Sequence, residues 1–517
     1  MKEELYPIGQ QYFPGIIKEG KVYVDKTDLI YKLVKDGKYY FLSRPRRFGK
    51  SLLLSTIQTF FEGEKDIFKN LAIYNLEKEW EKHVVFHLEL SRYDASDLNS
   101  LRSLIVNQLM IWEKEFSLKQ DELSPSQRFS NLIIEGYRQT GKGVVILVDE
   151  YDNPLINTLD KPEIHVANRD LLKSLYTNLK ALDSCIAFAM LAGVSRFSQM
   201  SVFSGINNLN DISLDPRYSS ICGVTEDELV KYFPRGIENL AKEENIAKEE
   251  GIDLLKKNYD GYHFTRNSPD IYNPFSLLNA FAKKHIGSYW YATGTPSFLI
   301  DSLYDKDVDL SVYLNEEVSA VQLAAIDIQN TSPLALLFQT GYLTIKGYDR
   351  DFDIYQLGIP NREVKQGFMF GLTKKFQERD ESETVGMLKR MVIALRRGNA
   401  EEFMNCLKSY FSGIPNNVTR NVSELYFENN CYILLNLIGL YCTAEYNTSH
   451  GRIDLLIRTD KFIYIIELKL DSSAKEAMRQ IEEKNYEIPF KTGDERIIKI
   501  GVNFSSSTRG VTDWIIA

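Results

Sequence analysis

Two α/β domains joined by a mainly helical middle region are what this sequence predicts, and three features predict them. The first is a set of short, nearly continuous apolar runs, "YYFLS", "VVFHLEL", "GVVILVDEYD" and "CIAFAMLAGVS", separated by stretches with helical spacing. Strands this apolar on both faces belong in a parallel sheet covered by helices on either side. The second is "FLSRPRRFGKS" (41–51), in which Gly-Lys-Ser stands between such a strand and a helix. The third is "RIDLLIRTDKFIYIIELKL" (452–470), two strand-like runs about a short turn, with a helical pattern after them.

The chain has 517 residues, too many for one hydrophobic core. The pattern divides it at 1–215, 216–395 and 396–517. In the first part, Val22 to Val24 reads as a short strand, and the helix after it is capped by Asp25 or Thr27. The apolar runs then alternate with helices, as in a doubly wound α/β domain. In the second part, "TEDELVKYF" opens a helix with Thr225 as N-cap and an acidic first turn. Further on, "LFQTGYLTIKGYDRDFDIYQLGIPNREV" reads as a helix followed by a β-hairpin, the pattern of a winged-helix unit. The aromatic-rich "NYDGYHF" (258–264) and "YWYATGTPSFL" (289–299) read as core and turn elements. In the third part, the helix "ENNCYILLNLIGLYC" leads to a strand, the hairpin, the helical "AMRQIEEKNY" and a short strand "RIIKIGVNF".

A formal charge of −9 argues against a uniformly basic nucleic-acid coat, but Arg44, Arg46, Arg47 and Lys50 form a local basic patch. The five cysteines show no CxxC spacing, which fits a reducing compartment and supplies no metal or disulfide framework. No apolar run approaches ~18 residues and the start lacks an apolar signal core, so a cytoplasmic protein without membrane contact is expected. The histidines include no HExxH, and His83 and His87 bracket a strand-like "VVF", which is no metal pair.

Gly-Lys-Ser between strand and helix is the physical core of a phosphate site. Gly49 lets the backbone approach the anion, and amides at the helix start favour it. Lys50 then reaches the β- and γ-phosphates of ATP, and Ser51 ligates Mg²⁺. Asp149, at the end of the apolar strand "VVILVD", completes the Mg²⁺ shell, and Glu150 polarises the attacking water. Acidic residues capping a buried strand are costly unless paired or metal-bound. Arg44 stands where a P-loop has its first glycine, and arginine enters positive φ only at a cost. The loop must therefore differ in shape, with Arg44, Arg46 or Arg47 available to a phosphate.

The late hairpin places a second constellation. With a two-residue turn Asp454 faces Ile465, and with a four-residue turn it faces Glu467; either register leaves Asp454, Glu467 and Lys469 on one face. Two carboxylates and a lysine beside an apolar sheet suit phosphodiester hydrolysis. The carboxylates are hard ligands for Mg²⁺ or Mn²⁺, and Lys469 orients or deprotonates the nucleophile.

Together, "RPRRFGKS", "VDEYD" and "GVSRFS" resemble the bacterial AAA-ATPase-like proteins that carry a C-terminal PD-(D/E)XK nuclease domain. "YVDKT", "FSGINNLNDIS", "YDGYHF" and "NPFSLL" look like segments of the same family, so the resemblance covers nearly the whole chain. It implies that the arginine-rich loop is the usual form there, and that Ser195 or Arg196 senses the γ-phosphate. The D-(x)n-E-x-K pattern resembles the PD-(D/E)XK signature, which implies Glu428 as an extra acidic metal ligand and Gln480 as a further nuclease-site residue.

The expectation is therefore an ATP-binding, ATP-hydrolysing protein coupled to metal-dependent cleavage of nucleic acid, DNA before RNA, with homo-oligomers among its states. The alternative is an ATP-driven switch or nucleic-acid-binding ATPase that does not cut. The third part counts slightly more acidic than basic residues, so phosphate contacts must come from elsewhere. The arginine-rich loop or the winged-helix unit is the expected source.

Overall fold

The computed structural model describes residues 4–517 apart from 120–121, 197–207, 292–299, 302, 305–307, 316, 325–332, 378–379, 413–423, 447–453, 492 and 509. The chain forms two compact units, Met1–Trp290 with Glu317–Asn361, and Tyr291–Glu316 with Arg362–Ala517. The stretch 216–395 is thus shared between both.

In the first unit, β1 (Tyr39–Ser43), β2 (Val85–Glu89), β3 (Val144–Asp149), β4 (Ile186–Gly193) and β5 (Asn210–Asp211) form a parallel sheet in the order β2-β3-β4-β1-β5. Every residue of β1 and β3 is buried, as their unbroken apolar runs require. Because β4 lies between β1 and β3, the loops leaving these three strands open side by side at one edge of the sheet. The helix Lys50–Phe61 starts there and packs back on β2, β3 and β4.

Val22 to Val24 is not a strand. Among the described residues only the Val22 amide of this stretch finds a backbone partner, the Leu5 carbonyl at 2.9 Å, and both valines instead pack on a helical cluster. The next helix, Thr27–Asp36, has Lys26 as its N-cap and no side-chain cap, while just before it Asp25 Oδ1 accepts from the Thr27 amide and hydroxyl. The cluster is formed by Glu226–Tyr232, Pro234–Glu243, Lys248–Tyr259 and Pro274–Lys283, which bury Leu229, Phe233, Ile237, Leu255 and Phe281. Thr225 and Glu228 make a capping box, and Glu228 also accepts from Lys26 Nζ at 2.6 Å. After the helix Pro333–Thr340 comes a hairpin, β7 (Thr344–Asp349) and β8 (Ile354–Gly358), joined by β6 (Glu317–Ser319) in the order β6-β8-β7. This is the helix-then-hairpin order read from the sequence.

The second unit holds a mixed sheet of β9 (Thr443–Tyr446), β10 (Leu455–Arg458), β11 (Phe462–Leu470), β12 (Arg496–Ser505) and β13 (Gly510–Ile516). Its order is β13-β12-β11-β10-β9, with β11 and β12 parallel and the other pairs antiparallel. The helix Ala474–Glu483 lays Met478 and Ile481 on Ile463 and Ile465. β12 is longer than its apolar core suggests, and β13 is an edge strand that the sequence did not announce. Its "GVTDWII" puts Asp513 mid-strand and apolar residues at both parities, so pairing with β12 decides its conformation. Among the described residues no helix is long and apolar enough to cross a membrane.

Candidate functional site

The phosphate loop follows β1. Gly49, at φ +96°, takes the left-handed turn that starts the helix, and Arg47 at φ +69° is also left-handed. Arg44, which the sequence left available to a phosphate, is engaged with backbone carbonyls in this structure. Its guanidinium is turned inward, donating to the carbonyls of Ser43 at 2.8 Å, Ser213 at 2.9 Å and Tyr218 at 3.2 Å, and lies 4.3 Å from the Phe264 ring centre. Burial lowers its pKa to about 10, which leaves it charged. Arginine at this position thus substitutes a side-chain anchor for a glycine turn, pinning the loop to the segment after β5. Arg47 stays exposed, with its guanidinium 5.0 Å from the Phe275 ring centre.

Lys50 is buried, and its ammonium is held by the carbonyls of Arg44 at 2.9 Å and Pro45 at 3.1 Å. Burial lowers its pKa, against the opposing pull of Asp149 and Asp152. Ser51 and Asp149 line one polar cavity of about 610 Å³ that also takes in His87 and Glu89. Glu150 has a left-handed backbone and accepts from Asn153 Nδ2 at 3.2 Å. Burial, then the neighbouring Asp149, raises its pKa.

Past β4, Ser195 and Arg196 both reach this edge of the sheet, and both are engaged. The Ser195 amide and hydroxyl donate to Asp152 Oδ2 at 2.5 and 2.6 Å, and the Val194 amide joins them at 2.9 Å. Arg196 forms an ion pair with Asp211 at 2.6 Å. Asp152, the last residue of "VDEYD", escaped the sequence reading. It is wholly buried, and its carboxylate ties the strand-end loop of β3 to that of β4. Beside Gly49 lies an apolar slot lined by Val24, Leu52, Cys222, Gly223, Pro274 and Leu277, also unforeseen because its walls come from distant segments.

In the second unit, Leu455 pairs with Ile466 and Arg458 with Ile463, the register of a four-residue turn. Extended by one residue, it sets Asp454 opposite Glu467. Asp454 Oδ2 accepts from the Leu468 amide at 2.9 Å. Glu467 is 1% exposed, and among the described residues its Oε2 has no hydrogen-bond partner. Its other oxygen lies 3.5 Å from Lys469 Nζ, which donates to Gln480 Oε1 at 2.6 Å; Gln480 in turn donates to Tyr486 Oη at 3.4 Å. Burial raises the pKa of both carboxyls, and the Asp454 charge adds to the rise at Glu467. Asp454, Glu467, Lys469 and Gln480 are thus brought together, while the Glu428 side chain lies outside the described residues.

Residues 7–203 match a family model described as "Predicted AAA-ATPase", and residues 422–514 match one described as "PD-(D/E)XK nuclease superfamily". A relative from Azotobacter chroococcum mcd 1, described as an uncharacterized protein in the vnfD 5' region, is 34% identical over 528 residues. That alignment spans 100% of this chain and 99% of the relative. The chain belongs to the AAA-ATPase-like proteins with a C-terminal PD-(D/E)XK nuclease domain.

For this AAA-ATPase-like protein, two donor sets fit the groups its families generally use. The buried, unpartnered oxygen of Glu467 opposite Asp454 is an uncompensated acceptor, the kind of atom a divalent cation satisfies. In the AAA-like unit, Ser51 and Asp149 line one cavity, a hydroxyl and a carboxylate of the kind that would hold Mg²⁺ beside a nucleotide.

Proposed function

We propose that this protein binds and hydrolyses ATP with Mg²⁺ and that its C-terminal site hydrolyses phosphodiester bonds in nucleic acid, DNA by preference, with Mg²⁺ or Mn²⁺. The observation that carries the nuclease reading is the orphaned Glu467 carboxylate oxygen, opposite Asp454 and two residues from Lys469. A buried carboxylate oxygen left without a partner costs stability, and one kept beside a second carboxylate points to a bound cation.

In the N-terminal unit, Lys50 leaves the Arg44 and Pro45 carbonyls for the β- and γ-phosphates, and Gly49 lets the loop amides close on them. The apolar slot beside Gly49 receives the base. Ser51 and Asp149 would hold the metal, and Glu150 would orient the attacking water. In the C-terminal unit, Asp454 and Glu467 hold the cation. When bound, it acidifies a water and neutralises charge building on the phosphate. Lys469, aimed by Gln480, positions that water for attack on phosphorus as the P–O bond opens.

Purified protein is incubated with supercoiled and linear DNA, and with RNA, in Mg²⁺ or Mn²⁺, with and without ATP. Cutting present in wild type and lost in Glu467→Ala is the expected result, with an ATP effect that disappears in Lys50→Ala. Cleavage no greater than that of Glu467→Ala on any substrate would leave the switch that binds ATP without cutting.

A further inference from the structure

The helix–hairpin unit, Pro333–Thr340 followed by Thr344–Asp349 and Ile354–Gly358, has the pattern of a nucleic-acid reader but is not disposed as one. In its helix Pro333–Thr340, every residue from Pro333 to Gln339 is buried, so no polar face is offered to a groove. The hairpin turn "DRDFD" (349–353) carries three aspartates and one arginine, the wrong sign for a phosphate backbone. This helix and its following turn are committed instead to the nucleotide site.

Three contacts make that commitment. The Trp290 indole Nε1 donates to the Arg46 carbonyl of the phosphate loop at 3.0 Å, and its ring packs on Tyr342 with centroids 5.3 Å apart. Gly341, at φ +91°, lies so close to the loop that a Cβ there would stand 2.8 Å from Pro45. Gln339, 3% exposed, accepts from the Arg196 amide at 2.7 Å and donates to the Leu323 carbonyl at 2.7 Å. One helix end therefore touches the loop after β1 and the segment after β4, the two places where a terminal phosphate is felt.

We propose that Trp290 and Gln339 are positioning residues of the nucleotide site, and that through them the helix–hairpin unit reads nucleotide occupancy. The inference rests on the ATP reading above. Its physical basis is the Lys50 ammonium, which in this state binds the carbonyls of Arg44 and Pro45. Phosphates that draw Lys50 away release those carbonyls, and the next carbonyl along the chain is the one Trp290 holds. A shift of the loop is thus delivered to the indole, while Gln339 keeps the Arg196 segment in register with it.

The test uses the full chain as wild type, Trp290→Phe and Gln339→Leu. ATP binding is followed by equilibrium dialysis, turnover by phosphate release, and tryptophan emission during ATP titration. Wild-type emission is expected to change with a midpoint matching dialysis, and most of that change is expected to be missing in Trp290→Phe. Losing one hydrogen bond to the loop should weaken ATP binding about 5-fold in Trp290→Phe. Gln339→Leu should keep its affinity within about 2-fold but lose about 10-fold in turnover, a split that a general loss of packing would not produce.

Wild-type emission indifferent to ATP that binds by dialysis, or the same emission change in Trp290→Phe, would overturn the proposal. So would binding and turnover falling in parallel in Gln339→Leu. No ATP binding by wild type would bring down the nucleotide reading itself, and this inference with it.

Discussion

Arg44→Ala separates an anchor from a phosphate ligand. In the structure the buried guanidinium supplies donors to three carbonyls at 2.8, 2.9 and 3.2 Å. Each buried carbonyl left without its donor costs about 1 kcal/mol at the low end of the usual range, so truncation costs about 3 kcal/mol. Relief of the guanidinium's own desolvation offsets part of any larger figure. With a urea dependence of about 3 kcal/mol per molar for a unit of this size, the midpoint of its transition falls by about 1 M. Tryptophan emission follows it, since Trp80, Trp112 and Trp290 all lie in the first unit. The measurement is made without nucleotide. An unchanged midpoint together with a large loss of ATP affinity would refute the anchor and restore Arg44 to the phosphate.

Glu467 gives a pH signature. Its folded-state pKa is raised, so between the ordinary carboxylate range and that raised value the folded state holds more protons than the unfolded one. Stability of the metal-free second unit therefore falls as pH rises through that window, by on the order of 1–2 kcal/mol. Glu467→Gln is expected to flatten the profile of melting temperature from pH 5 to 8. At pH 8, added Mn²⁺ should raise the melting temperature of wild type but not of the variant. Gly193→Ala should destabilise the first unit by about 2–3 kcal/mol, because the new Cβ would stand 2.6 Å from the Tyr151 ring and against the Asp152 carboxylate. Thermal unfolding read from the same tryptophans checks this, and an unchanged midpoint would mean that the β4 end yields freely.

What the sequence made legible follows from the range of the forces involved. Asp454 and Glu467 could be placed on one face because side-chain parity along a strand is a local property, the same for a two-residue and a four-residue turn. Lys50 and Asp149 could be placed because an unbroken apolar run marks a strand buried on both faces and a charge marks its end. The direction of Arg44 could not be read, since the carbonyls that hold it belong to residues 213 and 218. Asp152 escaped because its partners lie past a different strand, and the Trp290–Arg46 bond because it spans 244 positions. β13 escaped because its pattern is ambiguous until β12 pairs with it.

The winding of the chain bears on how such a protein can be inherited. It passes from the first unit to the second after Trp290, returns at Glu317 and leaves again after Asn361. A single recombination at any of these points would strand part of one fold on the wrong gene. A break after Asn361, for instance, deprives Asn429 of the Leu310 amide that it holds at 2.8 Å. The two folds are therefore not beads that evolution can shuffle with one crossover. Changes to either must arise in place, in a gene that carries both.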